Sequence, residues 1–334
     1  MDDEAEILDA LRDAGLIAPG EVPPMQPITG GVSSAVLRID LPSGPVCAKR
    51  ALAQLKVSAE WKASVERALS EIAWIRTVAA MDSALVPKII LAAPSRHLFV
   101  MEFLDPDTHP CWKPLLAENK ADTAFAAAVG DALGRIHAHT ANSSAYEHEF
   151  AHGDLFHDLR VDPYLLHTAR AHPDRAAVLQ AIADQLGKTR IALMHGDVSP
   201  KNILKGPKGP IFLDAECASY GDPAFDLAFC LNHLLLKSVW HREFAHSYAA
   251  SFRMLHSAYL AHVDWEGRAA LDGRAARLLA GLLLARIDGK SPVEYLQSQR
   301  EKGFVRAAAR DFLARTDLDV PGLHTSWCER IETF

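Results

Sequence analysis

Two short runs, in a fixed order, restrict this chain more than anything else in it. His195-Gly196-Asp197-Val198-Ser199-Pro200-Lys201-Asn202 sets an Asp and an Asn five positions apart in a loop. Ile211-Phe212-Leu213-Asp214-Ala215-Glu216 then closes an apolar strand on two acids. Phosphoryl transfer from a metal nucleotide needs these parts: a group to orient a hydroxyl, and oxygen ligands to hold magnesium on the phosphates. Asp197 is expected to accept or orient the proton of the attacking hydroxyl. Asn202 would give a neutral oxygen to magnesium, and Asp214 would bridge magnesium between phosphates. Glu216 lies two residues further on, so an extended segment would place it on the same side as Asp214. Paired carboxylates on one face are unfavourable unless a cation separates them, which makes Glu216 a third metal candidate.

His152-Gly153-Asp154 repeats the first three letters of the loop, but the fifth residue after Asp154 is Leu159 and no strand with paired acids follows. It reads as a loop or helix cap. Asp226, at the start of an apolar helix, suits capping of catalytic-loop N–H groups, and Asp222 before Pro223 suits a helix N-cap.

The residues upstream supply the rest of a nucleotide site. Gly30-Gly31-Val32-Ser33-Ser34 lies between two strand-like runs; its glycines allow close approach of backbone N–H groups to phosphates, and Ser33 and Ser34 add hydroxyls. Lys49 ends the next strand and could reach the α- and β-phosphates. A long helix from about Ser58 to Ala80 offers Glu71 to hold that ammonium; Glu66, five residues earlier, faces elsewhere. His97 to Phe103 reads as the strand feeding a connection, where backbone groups from Glu102 to Leu104 could meet an adenine edge.

Strand-like runs dominate before Asp105, at Met25–Ile28, Ala35–Asp40, Val46–Lys49, Lys88–Ala92 and His97–Phe103, with a hairpin turn at Pro42 to Pro45. After about Asp122 the chain reads mainly helical, with segments at Ala224–Leu236, Phe244–His262, Arg268–Ile287 and Val293–Ala314. A small β-rich lobe (1–104, nucleotide binding, with an N-terminal helix) is therefore expected before a larger helical lobe (105–334) that carries the catalytic loop and substrate site. The net charge of −7 argues against nucleic acid as a partner. An acidic N-terminus, apolar stretches too short to span a bilayer and five scattered Cys point to a cytoplasmic protein with reduced thiols and no membrane partner. The spacing of the 16 His offers no zinc motif.

These residues, from Gly30 to about Leu236, resemble the superfamily of aminoglycoside phosphotransferases, choline kinases and methylthioribose kinases. The resemblance is strongest from His195 to Asp226, and Asp214 to Gly221 with Pro223 and Phe225-Asp226 looks especially like methylthioribose kinases. It implies an α+β, two-lobed protein-kinase-like fold, with Asp197 catalytic, Asn202 and Asp214 as magnesium ligands and Lys49 on the nucleotide. The expected reaction is transfer of the γ-phosphate of ATP, or GTP, to a hydroxyl of a sugar, amino alcohol or aminoglycoside-like molecule, by a monomer or homodimer. Substrate contacts are expected beyond Asp226, from Asn232, His233, Trp240, Arg286 and Asp288. An inactive nucleotide-binding regulatory module is the alternative. A protein kinase is a further one, disfavoured because Asp214 to Asp222 is too short for a peptide platform.

Overall fold

The computed structural model describes residues 3–28, 34–52, 64–118, 120–151 and 153–334. Five strands form one antiparallel sheet: β1 (Met25–Pro27), β2 (Ser34–Leu41), β3 (Gly44–Ala51), β4 (Ile89–Ala93) and β5 (Leu98–Glu102), in the order β1-β2-β3-β5-β4. Leu41 pairs with Gly44, so the expected hairpin turn is two residues, Pro42 and Ser43. Side chains alternate between the faces of a strand. Val46, Ala48, Leu98 and Val100 pack against Ile7 and Leu11 of α1 (Asp3–Asp13). Cys47, Phe99 and Met101 join the cluster that holds Ile72 and Ile75 of α2 (Arg67–Met81). Lys49, two residues from Cys47, thereby falls on the α2 side of the sheet. Gly30, Gly31 and Ser33, and the start of the expected long helix near Ser58, lie outside the described residues; Ser34 is buried at the head of β2.

Beyond β5 the chain runs through helices α3 (Trp112–Ala117), α4 (Thr123–Thr140), α5 (Ser144–Glu149) and α6 (Gly153–Phe156). A π-helical stretch, His157–Leu166, follows, then α7 (His167–Ala171) and α8 (Ala176–Lys188). Two small antiparallel pairs enclose the loop motif: β6 (Ala192–Met194) with β9 (Ser219–Gly221), and β7 (Ile203–Gly206) with β8 (Gly209–Phe212). The last helices are α9 (Ala224–Trp240), α10 (Ala245–Leu260), α11 (Arg268–Asp288), α12 (Gln299–Leu313) and α13 (Val320–Thr333). Every residue of α9 from Ala224 to Val239 is buried, as for a helix surrounded by others. Helices α4 and α10 meet at backbone distance: a Cβ on Gly130 would lie 2.1 Å from the Leu255 carbonyl oxygen.

The expected helix from Val293 starts later, at Gln299. The Ser298–Glu301 capping box sets the true start. The repeat at Gly153-Asp154 opens α6 with Asp154 exposed, in keeping with a helix-start role; His152 lies outside the described residues. Among the described residues no helix is long and apolar enough to cross a membrane.

Candidate active site

Sheet alternation and helix phase together bring Lys49 to Glu71. Lys49 Nζ lies 2.7 Å from Glu71 Oε2, with both side chains buried, and it also pairs with Asp214. Burial alone would lower the pKa of this lysine, but Asp214 and then Glu71 outweigh it and hold the ammonium charged. Glu66 is mostly exposed and, among the described residues, its carboxylate meets His97 at 3.5 Å. Helix phase turns Glu71, and not Glu66, toward Lys49.

The loop from His195 to Asn202 is fixed from three sides. Asp226 Oδ2 accepts from the His195 N–H at 2.7 Å and Oδ1 from the Gly196 N–H at 2.9 Å, the expected cap. His195 packs edge-on against Trp74 of α2 at 4.8 Å. Its Nε2 donates to the Leu213 carbonyl at 3.0 Å while Nδ1 accepts from the Asp197 N–H at 3.1 Å. Those roles require a neutral ring, and burial lowers its pKa accordingly. His195 is thus a strut between the loop and the strand that delivers Asp214. Gly196 adopts φ +80°, and a Cβ there would sit 2.7 Å from the Cys217 carbonyl oxygen, so the position excludes side chains.

Asn202 Nδ2 donates to Asp197 Oδ2 at 2.9 Å and to its carbonyl at 3.1 Å. With the amide nitrogen committed, the amide oxygen is left as a hard donor. Asp214, at φ +67°, is one of three non-glycine residues in the left-handed region among the described ones. That backbone turn corrects the extended-segment expectation for Glu216. The chain bends after Asp214, and Glu216 Oε2 instead accepts from Arg67 Nε at 3.2 Å. Among the described residues no three His, Cys, Asp or Glu side chains gather to hold a metal. Asp214 and Asn202 nonetheless suit a small hard cation that takes its other ligands from phosphates and water.

Three basic residues in this site carry no motif. Arg160, from the π-helical stretch, donates to the Gly196 carbonyl at 2.6 Å and approaches Asp197 Oδ2 at 3.1 Å. Lys201 lies 3.3 Å from the same oxygen. Burial would raise the Asp197 pKa, but Lys201 and Arg160 overcome it and hold the carboxyl below its usual range. Arg67, fully buried, donates to the Ser64 carbonyl at 2.8 Å and to the Leu52 carbonyl at 2.5 Å as well as to Glu216. Only Lys201 was visible beforehand, as a letter inside the loop.

The adenine-edge expectation meets a partly used backbone. Glu102 N–H donates to the Lys88 carbonyl at 2.9 Å and its side chain accepts from the Lys88 N–H at 2.8 Å. Its carbonyl and the N–H of Leu104, just past β5, are the groups to consider. Of the substrate candidates, His233 is buried on α9, Trp240 ends that helix half-buried, and Arg286 donates to Tyr164 Oη at 3.3 Å and to Ser291. Asn232 is buried, with no hydrogen-bond partner on either amide atom among the described residues. Asp288 is taken by Arg306 at 2.7 Å and by His172 at 2.9 Å. Asp222 caps the Ala224 N–H at 3.0 Å and also pairs with Arg274 at 2.8 Å.

The phosphotransferase enzyme family model matches residues 24–271, well over half of the chain. No curated protein matches it. Among solved structures, a choline/ethanolamine kinase family protein from Mesorhizobium loti superposes with a TM-score of 0.54 at 16% identity, covering 98% of this chain and 100% of that one. An amicoumacin kinase, solved in complex with AMP-PNP, calcium and Ami, gives 0.53 at 17% identity over 97% of each chain. An ethanolamine kinase from Plasmodium vivax gives 0.53 at 12% identity, covering 98% of this chain and 87% of that one. At such identities the likeness establishes the two-lobed kinase fold alone.

Proposed function

The chain belongs to the phosphotransferase enzyme family and is a small-molecule kinase, and from that premise we propose that Asp197 directs the γ-phosphate of ATP, or of GTP, onto a hydroxyl of a sugar, amino alcohol or aminoglycoside-like acceptor. One observation supports this above the others. Asp197 and Asn202 are hydrogen-bonded to each other, Lys49 pairs with Glu71 and, across the lobes, with Asp214, and His195 bridges the two groups through the Asp197 N–H and the Leu213 carbonyl.

In this reading Asp197 accepts the hydrogen bond of the acceptor hydroxyl and aims its oxygen along the line of attack. A carboxyl held below its usual range is a weak base, which suits a loose transition state in which the proton leaves late. Lys49, kept charged and clamped by Glu71, offsets phosphate charge. Asp214 and Asn202 would hold magnesium, which when bound neutralises the developing charge on the phosphates. Glu216, engaged by Arg67, is a lesser contributor to that shell. The segment 1–104 would cover the nucleotide, with Ser34 and the glycines before it over the phosphates and the Glu102 carbonyl and Leu104 N–H at the base. Residues 105–334 would supply the acceptor site, to which His233, Trp240, Arg286 and Asp288 are assigned. The names of the solved kinases above supply choline, ethanolamine and amicoumacin as comparison acceptors.

Asp197→Asn should lower kcat by about 10²–10⁴-fold while leaving the Kd for magnesium-nucleotide close to that of the wild type. Wild-type turnover in that variant would overturn the assignment. Wild-type silence toward every acceptor, with nucleotide binding intact, would favour a regulatory module.

A further inference from the structure

Lys237, on α9, is 1% exposed and its Nζ has no hydrogen-bond partner among the described residues. A lysine is almost never fully buried without one, because an ammonium has three donors to satisfy and loses its hydration. Two rings lie against it, with Nζ 5.0 Å from the Trp240 ring centroid and 4.8 Å from that of Tyr295, and among the described residues Glu294 is the carboxylate that acts on its charge, from beyond ion-pair distance. A pair of such contacts attracts the charge but fills none of its N–H donors. One turn earlier on the same helix face, buried His233 also has an unpartnered Nε2, and the Tyr295 hydroxyl is unpartnered as well.

This stretch of α9 reaches the phosphoryl-transfer loop through Phe229, whose ring centroid lies 5.4 Å from that of His233 and 6.0 Å from the guanidinium of Arg160, which approaches Asp197 at 3.1 Å. Lys237 influences the Cys111 thiol, whose Sγ lies 3.4 Å from the Pro200 carbonyl. His233 is influenced by Arg286, Lys237, Lys201 and Lys113 together. The charge around it is mostly positive. Lys113 is paired with Glu294, but among the described residues Arg286 has no carboxylate partner and donates to Tyr164 and Ser291.

We propose that the phosphate acceptor carries an anionic group, a carboxylate or phosphate, and that Lys237 receives it while Asp197 addresses the hydroxyl. This rests on the reading of the Asp197 loop as the transfer site. The two rings that would attract a ligand's quaternary ammonium already hold the protein's own cation, and a cationic acceptor would meet like charge there. An anionic oxygen would instead supply the missing partner for Lys237, and His233 or the Tyr295 hydroxyl could complete the cradle. Burial, with the charge of Lys113, pushes the Lys237 pKa down to about 8, the direction expected of an ammonium awaiting a counter-charge.

The test uses the full chain with magnesium and AMP-PNP, titrated calorimetrically with D-glycerate, glucose 6-phosphate, glycerol, ethanolamine and choline, alongside ATP-consumption assays of the same panel. Binding confined to glycerate or glucose 6-phosphate is expected, and which of the two binds separates carboxylate from phosphate recognition. Lys237→Met should weaken that binding by about tenfold or more, and Lys237→Arg should retain most of it. The proposal is overturned if choline or ethanolamine binds as well as the anions, if no anion binds, or if Lys237→Met leaves anion affinity unchanged. Wild-type selectivity answers the question even if the variants fold poorly. Anion binding that depends on Lys237, but without any turnover sensitive to Asp197→Asn, would sink the transfer reading and leave the Lys237 assignment standing.

Discussion

Asp197 is a carboxylate under tension between burial and two cations. Because its pKa lies below the usual carboxylate range, it is ionised at neutral pH, and protonation silences it only at more acid pH. The kcat/KM profile should therefore stay flat on its acid side down to about pH 5. Lys201 is the largest charge opposing burial, so Lys201→Met should move the acid limb upward; an unmoved limb would show that Arg160 alone sets it. Gly196 offers a second test at this scale. A methyl there must displace the Cys217 carbonyl while holding φ +80°. Gly196→Ala should lose about 1–3 kcal/mol in urea unfolding, with turnover falling alongside.

At the scale of elements, α2 meets the active site at Arg67 as well as Glu71. Removing either member of the buried Arg67–Glu216 pair takes an opposite charge away from the other in a site shielded from water. Arg67→Met should cost about 3–5 kcal/mol, and the Arg67→Met/Glu216→Gln double variant should recover part of it in a double-mutant cycle. Additive losses would mean that the pair is not coupled. This element also shows what the sequence could and could not carry. Glu71 was legible because helix phase and strand alternation are local rules, as was the five-residue step from Asp197 to Asn202. Arg67, Arg160 and Lys237 were not. Their roles depend on segments brought together across the fold, such as Arg160 with Gly196 36 residues away, or Arg67 with Glu216 149 away. Alternation could not carry the position of Glu216, because it holds only where backbone is extended, and Asp214 is not. The lobes and most helices were legible from periodicity, whereas the start of α12 was decided by a cap.

Across the whole molecule, the sheet and the helical body are tied at the active site by Lys49–Asp214 and Arg67–Glu216. The Lys49 pKa is raised, so its contribution to stability is complete below about pH 10 and is lost as pH rises through the raised value. Asp214 is depressed, so its share is complete above about pH 4 and is lost as pH falls through the lowered value. The thermal midpoint should thus form a plateau between those limits, and Asp214→Asn should lower the plateau and flatten its acid edge. That variant should also quicken proteolysis in the exposed connection from Asp105 to Thr108, because an ionic tie between the lobes is cut. Asp226 gives the molecule a different property. It grips two successive amides of the reactive loop from within a helix buried on every side, so the loop has no hinge of its own and cannot fray ahead of the body. On heating, catalysis and tertiary structure should vanish in one step, which makes turnover a thermometer for the integrity of the entire helical body.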